Sequence, residues 1–163
     1  GITMTKIFIS AILYGLLSVI CIYNFIEPIE QVVDFYSKNL RGNLFAGFLT
    51  LGGFLFSLKT FIVVKMKESV YDHDKYKERL EKGKKLNPKM THYGPLQRLS
   101  NMLFYSVLFS IITAALQLTI GLIPHWSVVL VCIFTSVSTI FLLIWSLLLI
   151  KQNMDNWFSF IEQ

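Results

Sequence analysis

Two stretches decide how this chain folds: Met102–Ile123, MLFYSVLFSIITAALQLTIGLI, and Val128–Ile150, VVLVCIFTSVSTIFLLIWSLLLI. Neither contains Asp, Glu, Lys or Arg. A helix rises about 1.5 Å per residue, so each run can cross a hydrocarbon layer of about 30 Å. A soluble bundle helix would need a polar stripe along one side, and these runs have none of sufficient width. The connection, Gly121 to Ser127, overlaps the end of the first run and is so short that the two should form a tight antiparallel hairpin with Trp126 at one interface.

Two further runs lie upstream. Ile7–Ile26 is uncharged, and Leu44–Val64 carries the single charge Lys59. The chain therefore reads as an all-α, polytopic membrane protein with four transmembrane helices, at about 7–26, 44–64, 102–123 and 128–150 of its 163 residues. Charged residues make up 15% of the sequence, against about 25% in a soluble domain. The first run lacks a small-x-small cleavage site after it, so it is expected to remain as a helix and not to be removed as a signal peptide.

Basic residues fix the expected orientation. The loop 65–100 holds ten of them between Lys65 and Arg98 against five acids, and Lys6 and Lys151 fall on the same side. The first connection has only Lys38 and Arg41 beside Glu27, Glu30 and Asp34, and the last connection has no Lys or Arg. By the positive-inside rule both termini and the loop face the cytoplasm, as expected for a multi-pass protein of a bacterial inner membrane. Glu27-Pro28 should break the first helix. A short amphipathic helix then follows over Ile29–Leu40, with Ile29, Val32, Val33, Tyr36 and Leu40 on its apolar face; it suits an interfacial anchor or a lid over the bundle.

Within the loop, Asp72 or Asp74 can cap a helix over Lys75–Lys82 that pairs Glu78 with Lys82, Gly83 can end it, and Pro95 suits the first turn of the third span. At 36 residues the loop cannot bury a core of its own. It should fold in an oligomer, lie on anionic lipid headgroups, or wait for a cytosolic partner. Lys75, Lys77, Arg79, Lys82, Lys84 and Lys85 are the candidates for lipid or partner contact, with Trp157 and Phe158 of the aromatic tail 151–163. Interspersed acids argue against a nucleic-acid stripe.

No catalytic constellation is legible. His73, His92 and His125 are the only histidines, Asp72-His73-Asp74 has the wrong spacing for a metal, and Cys21 and Cys132 lie inside spans as apolar packers. Neither the intramembrane carboxylate of small proton-coupled exporters nor the exported cysteine pairs of quinone-linked disulfide enzymes is present. The expectation is a non-enzymatic chain without cofactor or metal. It would act as a homo-oligomeric conduit or membrane-perturbing effector, with the membrane subunit of a bacterial anti-phage defence system as one setting. The alternatives are an anchor or sensor that recruits a cytosolic protein, or a small transporter. Polar residues at depth are the candidates for a pore or an inter-subunit seam: Gln117 near the middle of the third span, Thr135, Ser138 and Thr139 in the fourth, and Lys59, which can instead snorkel to the nearer interface. Glycines 47, 52 and 53 should mark a close-packed face of the second span.

Overall fold

A computed structural model describes residues 3–161, with the side chains of Trp157, Phe160 and Ile161 outside that description. Every regular element in it is helical. They are α1 (Met4–Phe25), α2 (Glu30–Phe35), α3 (Arg41–Met66), α4 (Asp74–Leu86), α5 (Gly94–Leu118) and α6 (Trp126–Ile161). Four stretches are long and apolar enough to cross a membrane, and they contain α1, α3, α5 and α6.

Side-chain pairings order these four helices. α1 runs antiparallel to α6, with Tyr14 on Phe141 and Tyr23 on Trp126 at ring separations of 5.6 and 5.5 Å. α6 is antiparallel to α5 through Thr113 and Thr139, 2.8 Å apart. α5 is antiparallel to α3, where Gly52 meets Ser110 and Ile111 and Lys59 meets Phe104. The order across the molecule is thus α1, α6, α5, α3. The hairpin α5–α6 is central and α1 and α3 form the flanks. Burial follows: 39% of the apolar stretch is buried in α5 and in α6, against 17% in α1 and in α3. Phe8 on α1 also reaches Tyr105 and Phe109 on α5, 5.5 and 5.9 Å between rings, which closes one end of the row. That end carries Lys6, α4 and Lys151.

Several boundaries differ from the sequence reading. Residues 30–71 form one helical run, so the amphipathic segment is not a separate interfacial element. A π turn at Tyr36–Leu40 joins α2 to α3, and another at Lys67–Tyr71 ends α3. Val32 and Tyr36 point down onto Val129, Cys132 and Ile133 of α6, so the segment caps the bundle as a lid. Within the third span, which runs to Leu122, the α-helix ends at Leu118, because Thr119 leaves helical geometry (φ −104°, ψ −94°) and a single 3-10 turn over Ile120–Leu122 follows. α6 continues through the tail to Ile161.

The loop folds back on its own bundle, an outcome that composition alone did not suggest. His73 caps α4, its Nδ1 accepting from the Lys75 N–H at 3.3 Å. Lys77 pairs with Asp74 at 3.2 Å, and Glu78 makes no pair with Lys82. Gly83 does not end the helix, which runs on to Leu86. Pro95 does occupy the first turn of α5. A ring cluster anchors the loop: Tyr71 meets Tyr76 at 4.7 Å, Tyr76 meets His92 at 5.6 Å, and His92 meets Tyr93 at 4.3 Å. Leu80 is buried under α4, and the Tyr71 hydroxyl donates to Asn153 of α6 at 3.3 Å.

Candidate functional site

The polar residues of α5 recur at Ser106, Ser110, Thr113 and Gln117, close to helical periodicity, so they share one face. Ser136, Thr139 and Ser146 of α6 oppose it, and all seven are buried. Six of them pair across the interface, and the Ser110 hydroxyl has no partner among the described residues. Ser106 and Ser146 share a hydrogen bond, Thr113 and Thr139 another, and Gln117 reaches Ser136 at 3.4 Å. In an apolar surrounding such hydroxyls need partners, and each pair contributes about 0.6 kcal/mol to helix association.

Gln117 terminates this ladder under the lid. Its Oε1 accepts from the Tyr36 hydroxyl at 2.5 Å, while its Nε2 donates to the Thr113 carbonyl at 3.0 Å as well as to Ser136. Tyr36 and Gln117 are both fully buried. Gly121 makes the fit: a Cβ there would lie 2.5 Å from the Tyr36 hydroxyl oxygen and 3.1 Å from the Leu116 carbonyl. Gln117 therefore sits in the last turn of α5, not near mid-span, and its amide is consumed inside the chain.

The other pore candidates fall into separate seams. Thr139 belongs to the α5–α6 ladder. Ser138 is pressed against Gly15 at the α1–α6 contact, and its hydroxyl has no partner. Thr135 is half-buried and donates to its own backbone at Cys132, 2.9 Å away. Lys59 is half-buried with its ammonium 5.2 Å from the centre of the Phe104 ring, a cation–π contact. The structure does not bring these residues together around a common path.

An outward stripe on α3 escaped the sequence reading. Asn43, Ala46, Thr50, Gly53, Ser57 and Thr60 recur at intervals of three and four and are all exposed. A Cβ at Gly47 or Gly53 would meet nothing within 4 Å, whereas Gly52 is in contact with α5. The expected close-packed glycine face is therefore Gly52 alone. The 3.5-residue spacing is present in the sequence, but only the packing of Gly52 against α5 shows which side of α3 faces outward.

At the basic end, Lys75, Lys82, Lys84 and Lys85 are exposed on α4, with Leu86 91% exposed beside them. Arg79 lines an apolar cavity of about 430 Å³ with Met66, Leu80 and Met90. Phe158 is half-exposed, and the side chain of Trp157 lies outside the described residues. Among the described residues no group of three His, Cys, Asp or Glu could hold a metal ion.

The best-defined electrostatic unit here is Asp72. The Tyr93 hydroxyl donates to one carboxylate oxygen at 2.5 Å and Lys67 lies 3.0 Å from the other. Both hold the Asp72 carboxyl below its usual range, the Tyr93 bond first, and the same bond pushes the Tyr93 hydroxyl up. A depressed carboxyl contributes stability above its unfolded pKa and loses it as pH falls through the folded value. Wild type should therefore melt above Asp72→Asn at neutral pH, and the two melting curves should converge below the ordinary carboxylate range. A gap that persists at acid pH would rule this out.

No family model matches this chain, no curated protein matches it in sequence, and no solved structure matches its fold. What it does must be argued from its own geometry.

Proposed function

We propose that this chain is a non-enzymatic, oligomeric integral membrane protein whose copies enclose a conduit lined by α3. Membrane insertion is supported by the flanks. Large apolar residues such as Leu17, Phe54 and Phe61 are about 60% exposed or more on α1 and α3. In water that much apolar surface would drive association; in lipid it is at rest. The basic end then belongs in the cytoplasm, with both termini.

The observation that carries the conduit is the outward stripe of hydroxyl and amide residues on α3. The polar groups of α5 and α6 are buried within the chain, most of them bonded to one another and only the Ser110 and Ser138 hydroxyls without a partner among the described residues, so they cannot line a shared path without dismantling the bundle. Those of the α3 stripe, unlike Lys59, are turned away from it. Asn43 and Ser57 bond only to their own backbone, at the Asn39 and Gly53 carbonyls. Because α3 is a flank, the same stripe on several copies can face a common axis, as cyclic assemblies require. Small residues between the hydroxyls permit close approach, and rings of hydroxyls are a means of lining a pore.

The test is depolarisation of bacterial membranes on induced expression, followed with a voltage-sensitive dye. Wild type should depolarise, and Thr50→Leu with Ser57→Leu should suppress the effect, because an apolar lining dewets and closes a conduit. The variant must remain in the membrane at wild-type abundance. Depolarisation that persists in such a variant, or its absence in wild type, would sink the reading.

A further inference from the structure

At the basic end, the start of α5 and the last turns of α6 enclose a second cavity, of about 410 Å³. Its lining includes Arg98, Gln152, Asn153 and Asn156 above Leu149, with Gly94 at the beginning of α5. Asn153 is already engaged, accepting from Tyr71 at 3.3 Å and donating to the Leu149 carbonyl at 2.8 Å. Arg98 is not. Its Nε is buried and, among the described residues, has no hydrogen-bond partner, and no acidic residue of that set lines the cavity. A buried guanidinium nitrogen without an acceptor is costly, and native structures ordinarily supply one.

We propose that this cavity binds an anionic phosphate group, held by the Arg98 guanidinium and the side-chain amides of Gln152 and Asn156. The guanidinium presents a planar fork of donors that matches phosphate oxygens. α5 begins at the cavity, so the positive end of its dipole favours the same charge, although Pro95 has no N–H and those of Gly94 and Gln97 are taken by the Thr91 and Tyr93 carbonyls. The carboxamides add neutral donors without introducing a competing carboxylate. A second feature bears on the source of the phosphate. The apolar cavity lined by Met66, Leu80 and Met90 adjoins this one, since Pro95, Asn153 and Asn156 line both. A phosphate in the polar chamber with a chain in the apolar one is the outline of a phospholipid, and a soluble phosphate ester would use the polar chamber alone. Binding here does not depend on conduction, so this inference and the conduit can fail separately.

The full chain, purified in a phosphate-free neutral detergent, would be titrated with phosphatidylglycerol in mixed micelles and separately with glycerol phosphate. Phosphorus NMR line broadening would report the bound fraction. Saturable binding is expected, weakened roughly tenfold or more in Arg98→Gln, the loss expected for a charge-assisted hydrogen bond. The triple change Lys82→Gln, Lys84→Gln, Lys85→Gln removes exposed charge outside the cavity and should alter affinity by only about threefold, as screened surface charges do. Circular dichroism checks that each variant keeps its helix. If Arg98→Gln does not fold, the pair Gln152→Ala and Asn156→Ala replaces it and should weaken binding by about threefold or more. Binding of phosphatidylglycerol alone assigns the site to a lipid headgroup, and binding of glycerol phosphate as well assigns it to a soluble ester. Absence of saturable binding to either, binding that the cavity variants leave intact, or an equal loss in the lysine variant would each overturn the proposal.

Discussion

Gly15→Val is expected to destabilise the protein by about 2 kcal/mol or more, because the added atoms have nowhere to go. A Cβ at Gly15 would fall on the Ser138 hydroxyl and lie 2.8 Å from the Phe134 ring, two side chains one turn apart on α6. The branched residue therefore wedges α1 away from its principal partner. The neighbouring anchors of α1 on α6, Tyr14 on Phe141 and Tyr23 on Trp126, lie to either side of Gly15 and would be strained by the same displacement. Thermal unfolding of the detergent-solubilised protein, followed by circular dichroism, measures the loss. Gly47→Val is the control, because a Cβ there meets nothing within 4 Å. It should leave the melting temperature within a few degrees, as exposed substitutions do. Equal losses in the two variants would mean that backbone freedom, not close packing, sets the cost.

The same contrast shows how much of this architecture the sequence carries. Helix number and spacing are legible because uncharged runs such as Val128–Ile150 have one physical solution in a bilayer. The lid was half legible. The spacing of Val32 and Tyr36 gave the apolar face correctly, yet nothing local says that this face meets α6 or that the π turn carries it directly into α3. Neighbour relations were the harder part. Gly15, Gly47, Gly52 and Gly53 look alike in one dimension, and only the order α1, α6, α5, α3 makes two of them contact sites and two open surface. For the same reason Gln117 drew notice as a polar residue at depth, while its partner Tyr36 lies 81 positions away and announces nothing. Arg98 was hidden by its setting. Among ten basic residues in one loop it looks like topology charge, and its lack of an acceptor emerges only once α6 closes over it.

That pairing of Tyr36 with Gln117 yields the second large effect. Tyr36→Phe removes the one donor to the Gln117 Oε1 among the described residues and leaves that oxygen buried and unsatisfied, a cost of about 1–3 kcal/mol. Gln117→Leu strips the acceptor from the Tyr36 hydroxyl and the donor from the Thr113 carbonyl and Ser136, so its cost should be at least as large. The double variant should cost less than the sum by about 1 kcal/mol, since an unpaired group is then absent on both sides. Chemical or thermal unfolding of the four proteins in one detergent gives this coupling directly. Strict additivity would mean that the two side chains do not act on each other, whatever their separation. Conductance supplies the opposite arm. Were Gln117 the lining of a conduit, Gln117→Leu would change ion flux per assembled complex and leave unfolding nearly untouched. With the amide fully consumed beneath the lid, the expected pattern is the reverse: a lower unfolding midpoint and unchanged flux in the fraction that assembles. The stripe of Thr50 and Ser57 should give the mirror image, altered flux with stability preserved. The two sets of substitutions thus separate the residues that hold the bundle together from those that face whatever passes beside it.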